Sequence, residues 1–273
     1  MYFKITNQEE CHHGYQYQTG LNLLDREFEP RGTCVAGGLY FTTLEHLEEF
    51  YSYGVWLRVV IIPKDARIVK DPEGDKWRAN KIILGEKYPL FDVKTIQKFG
   101  LKVTEYYVNK VSLYGHIKVL DWLLKIRNES GSGSLIKFDY ASNAVDWASG
   151  NNQLDVLDWW LKAHNEFGVK LKYSNWAITE ASSKGHVKVL DWWLKAQNEL
   201  GLEFKYNADA MEGASQNGHT NVLEWWLKAQ NESGIELKYN LWAINSAAKK
   251  TKNNIKILDW WKSSGLVYLT HCD

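Results

Sequence analysis

Apolar positions follow two different periods along this chain. Over roughly residues 1 to 95 they alternate or fall in runs too short for a helical stripe. Tyr15 and Tyr17 alternate with Gln16 and Gln18 ahead of Gly20, the period-two pattern of a half-buried strand closed by a turn. Gly37-Gly38 leads into Leu39-Tyr40-Phe41-Thr42, a turn feeding a short strand. Leu44, Leu47, Phe50 and Tyr51 share one face of an expected helix over residues 44 to 53, capped by Thr42 or Thr43 and ended by Gly54. Trp56 to Ile62 reads as a central strand stopped by Pro63, which cannot donate to a ladder, and Lys81 to Leu84 as another strand. From about residue 96 the period becomes helical. Within Val187 to Asn198, for example, Val189, Leu190, Trp193 and Leu194 form one stripe.

The helical part repeats itself. Leu120-Asp121-Trp122-Leu123 returns as Leu157-Asp158-Trp159-Trp160, Leu190-Asp191-Trp192-Trp193, Leu223-Glu224-Trp225-Trp226 and Leu258-Asp259-Trp260-Trp261, with the acids 37, 33, 33 and 35 positions apart. A fixed period of this size marks an array whose units bury their apolar faces on one another. Four of the five units also carry a small residue upstream, Ala148, Ala181, Ala214 and Ala247. A turn pair comes next: Gly115-His116, Asn152-Gln153, Gly185-His186, Gly218-His219 and Asn253-Asn254. Downstream lies Lys-Ala-x-Asn-Glu-x-Gly, complete at 162–168, 195–201 and 228–234. An extended Leu-Lys-Tyr or Phe-Lys-Tyr connector closes the unit. This grammar predicts a short first helix, a turn, a longer second helix ended by a left-handed glycine, and a connector.

Within that register Trp160, Trp193, Trp226 and Trp261 are expected in the core, and Trp159, Trp192, Trp225 and Trp260 half-exposed. Asp158 and Lys162, with their equivalents, should pair at i,i+4, worth about 0.2–0.5 kcal/mol each. The histidines of the turns recur one unit apart, too widely for a shared metal ion.

Composition narrows the chemistry. The 33 basic and 33 acidic residues cancel, so no basic stripe points to nucleic acid. Each tryptophan of the phrase follows an acid, unlike the basic interleaving of single-strand binders. Cys11, Cys34 and Cys272 form neither a zinc spacing nor a disulfide framework. No leader-like start and no run of about 18 apolar residues occurs, so we expect a soluble cytoplasmic monomer without membrane contact. No phosphate loop, zinc-protease motif or nucleophile elbow is present, and no metal or cofactor is expected. Asp71-Pro72-Glu73-Gly74-Asp75 lacks calcium-loop spacing and reads as a solvated turn.

The elements Ala-Ser-x-x-Gly-His-x-x-Val-Leu resemble the ankyrin repeat, and the Asp-Trp-Trp-Leu variant is similar to the ankyrin proteins of giant DNA viruses of the mimivirus type. The likeness covers about residues 104 to 268; the Thr-Pro-Leu-His opening of the family is absent. The strand and helix patterns over 1–95 predict an α+β N-terminal module, and the likeness implies that over 96–273 it is followed by an all-α ankyrin-like solenoid of about five repeats with a C-terminal cap, in which each turn histidine bonds backbone at its own turn. It further implies a non-catalytic adaptor that binds another protein, for a viral protein one of the host, on the concave face. Positions of the first helix that differ between units would then contact the partner: Asp146, Thr179, Glu212 and Asn245, with Trp147, Glu180 and Ser246 one step on. The N-terminal stretch resembles modules found ahead of viral repeat arrays. It also bears a loose likeness to ADP-ribosyltransferases through His13, Tyr40 and Glu86, which would imply an NAD-using enzyme whose targets the repeats select.

Overall fold

Five residues at the start of the chain, Tyr2–Thr6, form the strand (β1) around which the first unit is built. The computed structural model describes residues 1–130, 138–246 and 252–266. They divide into two units, Met1–Tyr107 with Lys118–Phe138, and Val108–Ile117 with Asp139–Asp273. In the first unit β4 (Gly20–Leu23), β5 (Leu39–Thr43), β6 (Trp56–Ile61), β7 (Ile68–Lys70), β8 (Lys76–Ala79) and β9 (Lys81–Pro89) join β1 in an antiparallel sheet of order β4-β9-β6-β1-β5-β8-β7. β1 lies at its centre, with Phe3, Lys4, Ile5 and Thr6 all buried.

Phe3 points to one face, where it meets Phe99 edge to face at 5.4 Å. Phe99 ends helix α1 (Val93–Phe99), which is capped by the Asp92 carboxylate on the N–H groups of Lys94 and Thr95 and closed by left-handed Gly100. The opposite face is built on Tyr17, Leu39, Phe41, Val60, Ala79, Ile82 and Leu84.

Three local expectations are corrected. Strand β5 runs through Thr43 and takes up the residues expected to cap a helix; the segment Leu47–Tyr53 is only a 3-10 helix. Gly54 does end it, and a Cβ there would lie 2.0 Å from the Thr6 carbonyl oxygen, so the close approach to β1 requires glycine. The alternating tyrosines give only β3 (Tyr15–Gln16), paired with β2 (Cys11–His12) across His13-Gly14. Those two residues have φ of 51° and 81°, the double positive φ of a tight hairpin turn.

The acidic loop is not simply solvated. Asp71 is 2% exposed and accepts from Arg78 Nη1 at 3.0 Å and from the Cys34 N–H at 3.1 Å. Arg78 also donates to the carbonyls of Glu29, Arg31 and Gly32, which pins the loop ahead of β5. Burying this carboxylate and guanidinium together is tolerated because each supplies the hydrogen bonds that water would otherwise make to the other.

The second unit is a stack of helix pairs: α4 (Asn143–Ser149) with α5 (Leu154–Phe167), α6 (Trp176–Ser183) with α7 (Val187–Leu200), α8 (Asp209–Gln216) with α9 (Thr220–Ser233), and α10 (Leu241–Ser246) with α11 (Lys252–Ser263). Before them come α2 (Glu105–Leu113) and α3 (Ile117–Ser130). Gly168, Gly201 and Gly234 close α5, α7 and α9 in the left-handed conformation, as the sequence leads one to expect. Asn253 and Asn254 lie inside α11 rather than at a turn, and Ala247 lies outside the described residues. No helix of the described residues is long and apolar enough to cross a membrane.

Replacing Asp71 by alanine would strand the buried Arg78 guanidinium. Urea denaturation of the variant should show a loss of about 3–5 kcal/mol, whereas Glu73→Ala in the same loop should stay within about 0.5 kcal/mol.

Candidate functional site

In four of the five phrases a second tryptophan sits on the inner side of its helix. Trp160, Trp193, Trp226 and Trp261 are at most 1% exposed. A buried indole N–H needs an acceptor, and here the same one recurs. Trp160 donates to Ser112 Oγ (3.2 Å), Trp193 to Ser149 (3.1 Å), Trp226 to Ser182 (3.3 Å) and Trp261 to Ser215 (3.0 Å). Each serine is fully buried and lies at the end of the first helix of the preceding unit. The serine sits beside the small alanine that sequence reading singled out, and it is the acceptor, not the alanine, that specifies the contact.

Around each indole lies a tyrosine of the connector. Tyr140–Trp160, Tyr173–Trp193, Tyr206–Trp226 and Tyr239–Trp261 have centroids 4.6–5.3 Å apart. Each tyrosine hydroxyl then donates to the next connector, Tyr140 to the carbonyl of Lys170 at 2.7 Å and Tyr173 to that of Glu203 at 3.0 Å. Lys172, Lys205 and Lys238 return the contact over the rings of Tyr140, Tyr173 and Tyr206 at 4.5–4.6 Å. The connectors therefore form a ladder, which leaves an open recess of about 420 Å³ between Tyr173, Glu203, Lys205, Tyr206 and Lys238.

In three of the four doublets the first tryptophan is more buried than its helical position suggests. Trp159, Trp225 and Trp260 are 8–9% exposed, and Trp192 is half-buried. Trp192 Nε1 donates to Asp158 at 2.7 Å and Trp225 Nε1 to Asp191 at 2.6 Å. These acids therefore accept from the next unit instead of serving the lysine four residues on. Lys162, Lys195 and Lys228 reach forward to Glu166, Glu199 and Glu232 at 3.7–3.9 Å.

His186 also reaches across units, not to its own turn. His186 bonds the Gly150 backbone of the preceding turn, as Gln153 Nε2 bonds Leu113 O at 3.2 Å. Gly185 (φ 79°) leaves room for the next ring, since a Cβ there would lie 2.7 Å from His219 Nδ1. Asn152 holds the same left-handed turn at φ 55°. Burial, more than any neighbouring charge, pulls the His186 pKa below its ordinary value.

The expected contact positions divide. Asp146 is 1% exposed, and its carboxylate accepts from the Ser174 N–H (2.9 Å) and hydroxyl (2.7 Å); burial pushes its pKa up against those bonds. Thr179 is 5% exposed and bonds Asn207 at 3.4 Å. Both residues hold the following connector and are not presented to solvent, because their side chains point along the stack. Trp147, Glu180 and Glu212 are half-buried, and Asn245 is exposed. Ser246 lies at the end of α10. Sequence reading missed Trp176 and Trp242, which open their first helices 55% and 71% exposed where the intervening unit has Asp209.

In the first unit one cavity of about 310 Å³ is lined by His12, His13, Tyr15, Tyr17, Tyr40, Phe41, Phe50, Tyr53 and Lys4, among others. It gathers His13 and Tyr40 but not Glu86, which stands exposed on β9 with its carboxylate accepting from Tyr88. Beside it His46 lies 3.0 Å from Glu49 and 3.2 Å from Asp75, a half-exposed cluster that sequence spacing gave no reason to expect.

Helix pairs of about 33 residues, joined by a glycine turn and locked through their second helices, define a helical-repeat protein. Over 134 residues the chain is 42% identical to R868 of Acanthamoeba polyphaga mimivirus, named as an ankyrin repeat protein; the match covers 46% of this chain and 67% of R868. The chain belongs to the ankyrin-repeat family in its mimivirus form. It is 37% identical to L696 of the same virus over 53% of this chain and 44% of L696. With the ankyrin repeat protein R229 it shares 38% identity over 36% of each. It thus spans about two thirds of R868 and less than half of the other two. No protein-family model matches it.

Two measurements probe these bonds. Ser149→Ala leaves the Trp193 N–H buried without an acceptor and should cost about 1–3 kcal/mol, and a double-mutant cycle with Trp193→Phe should show coupling of about 0.5 kcal/mol or more. His186 stays neutral in the fold below the pH at which the unfolded chain protonates. The unfolded state therefore binds more protons, and stability falls as pH drops below about 6.5. Thermal melts between pH 5 and 8 should show a weaker decline in His186→Gln, which keeps the bond that Gln153 makes.

Proposed function

We propose that the chain is a non-catalytic adaptor whose repeat units hold a partner protein on the face formed by the first helices and connector tips. Ankyrin arrays serve generally as protein-interaction frames, and repeat stacks of this kind create extended binding surfaces. The observation that carries the reading is a division of labour within each unit. The bonds from tryptophan to serine and from tyrosine to connector recur from unit to unit, while the side chains at the outward positions of the first helix change.

Glu180, Glu212 and Asn245, with Trp147 and Ser246 beside them, form the proposed specificity set. Trp176 and Trp242 add large exposed aromatic anchors, a residue type that concentrates binding energy at interfaces. Asp146 and Thr179 belong to the frame. The proposed partner is a protein of the amoebal host cytoplasm, in keeping with the relatives' viral source, and it is met by a monomer of this chain.

The test is capture from Acanthamoeba lysate with the full chain, compared with a variant carrying Glu180→Lys, Glu212→Lys and Asn245→Lys. The expected result is a reproducible partner on the parent that is lost from the variant, while the helical circular dichroism and melting temperature are unchanged. Equal recovery on both proteins, or none above an unrelated helical control, overturns the reading.

A further inference from the structure

The cavity of the first unit holds an amine that the adaptor reading leaves without a role. Lys4 lies on the central strand β1, 7% exposed, where its side chain shares the face of Phe41 and of Arg58, its cross-strand neighbour on β6. Arg58 is compensated: it donates to Thr19 at 2.7 Å and lies 3.3 Å from the Glu10 carboxylate. Lys4 is not. Its Nζ donates to the Tyr40 carbonyl at 3.0 Å and stands 4.3 Å from the centroid of the Tyr17 ring, and no carboxylate of the described residues pairs with it. One of its three donor directions is thus taken by a neutral carbonyl and another faces a ring, in a pocket open to solvent. A methionine would fill this space without the desolvation cost of an amine.

The walls match that head group. Tyr15, Tyr17, Tyr40, Phe41, Phe50 and Tyr53 surround a volume of about 310 Å³, the size of a small-ligand pocket. His13, at the tip of the β2–β3 turn, and Cys34 also line the cavity. Burial supplies the reactivity: it lowers the Lys4 pKa to about 7, so a large share of the amine is unprotonated near neutral pH. The same effect keeps His12 on the wall neutral, its pKa drawn down to about 4 chiefly by burial and next by Lys4.

We propose that this cavity binds a small planar carbonyl compound, an aromatic or conjugated aldehyde or ketone, and that Lys4 Nζ joins it as a reversible imine. The amine lone pair adds to the carbonyl carbon, and the carbonyl oxygen becomes the hydroxyl of a carbinolamine after transfer of a proton from nitrogen. The hydroxyl then leaves as water with a proton drawn from solvent at the cavity mouth, which gives the protonated imine. No oxidant or reductant takes part. A desolvated lysine in an apolar pocket is the usual setting for such an amine nucleophile.

The test uses benzaldehyde as probe on the full chain at pH 7.2, with cyanoborohydride to fix any imine and peptide mass spectrometry to locate it. Lys4 should carry at least tenfold more benzyl adduct than exposed Lys64, and its labelling rate should rise with pH through about 7. Ala36→Trp, at the mouth of the cavity, should reduce Lys4 labelling at least fivefold and leave Lys64 unchanged. Lys4→Met should remove the adduct, and the Ala36 variant carries the test if Lys4→Met does not fold. Labelling of Lys4 at or below the level of Lys64, or labelling indifferent to Ala36→Trp, overturns the proposal.

Discussion

The indole N–H of the second tryptophan in each unit fixes the architecture of the array. An indole of this size contributes much to a core by area alone, yet its N–H cannot be buried without an acceptor. The acceptor is a serine hydroxyl in the preceding unit, at Ser112, Ser149, Ser182 and Ser215. No unit can therefore satisfy its own largest side chain. Stacking is built into the core, and a chain of such units behaves as a set of nearest-neighbour contacts. The neighbouring tyrosine ring, the lysine across it, and the bond from Trp192 to Asp158 strengthen the same junction from the outside.

That arrangement explains why the units can differ where they do. The interior bonds require particular atoms at particular places, so the phrase and its serine repeat. The outward side chains of α6, α8 and α10 satisfy no such requirement. Asp146 and Thr179 show where the boundary runs. They occupy positions that vary between units, yet in their own units they are tied to Ser174 and Asn207 and belong to the frame. The first unit works by the opposite rule at one place. Every nitrogen of its buried Arg78 guanidinium has an acceptor, whereas its buried Lys4 has one carbonyl and an open cavity.

Much of this was legible in the sequence, and the failures share a cause. The two-part fold, the helix pairs and the left-handed glycines could be read because periodicity and glycine placement report local geometry. What escaped was set by partners distant along the chain. Ser149 reads as one more small residue of a short helix until Trp193, 44 residues on, is placed beside it. Trp225 looked half-exposed from the helical wheel because the acid that accepts from it stands in the previous unit. His186 was given the wrong partner for the same reason. Strand β1 was missed because Lys4 and Thr6, buried on the face opposite Phe3 and Ile5, are polar and hide a central strand, and Asp71 was misread because only Arg78 reveals why it can be buried. Of the partner-contact positions, the sequence could show which ones vary but not which ones face solvent.

Hydrogen exchange of the tryptophan indole N–H groups, followed by nuclear magnetic resonance on the full chain, tests the central claim most directly. The indoles of Trp160, Trp193 and Trp226 should exchange only through opening of the array, many orders of magnitude more slowly than those of Trp176 and Trp242. If the second indoles of the doublets exchange as fast as Trp176, their bonds to the preceding serines do not hold the units together, and the account of the array is wrong.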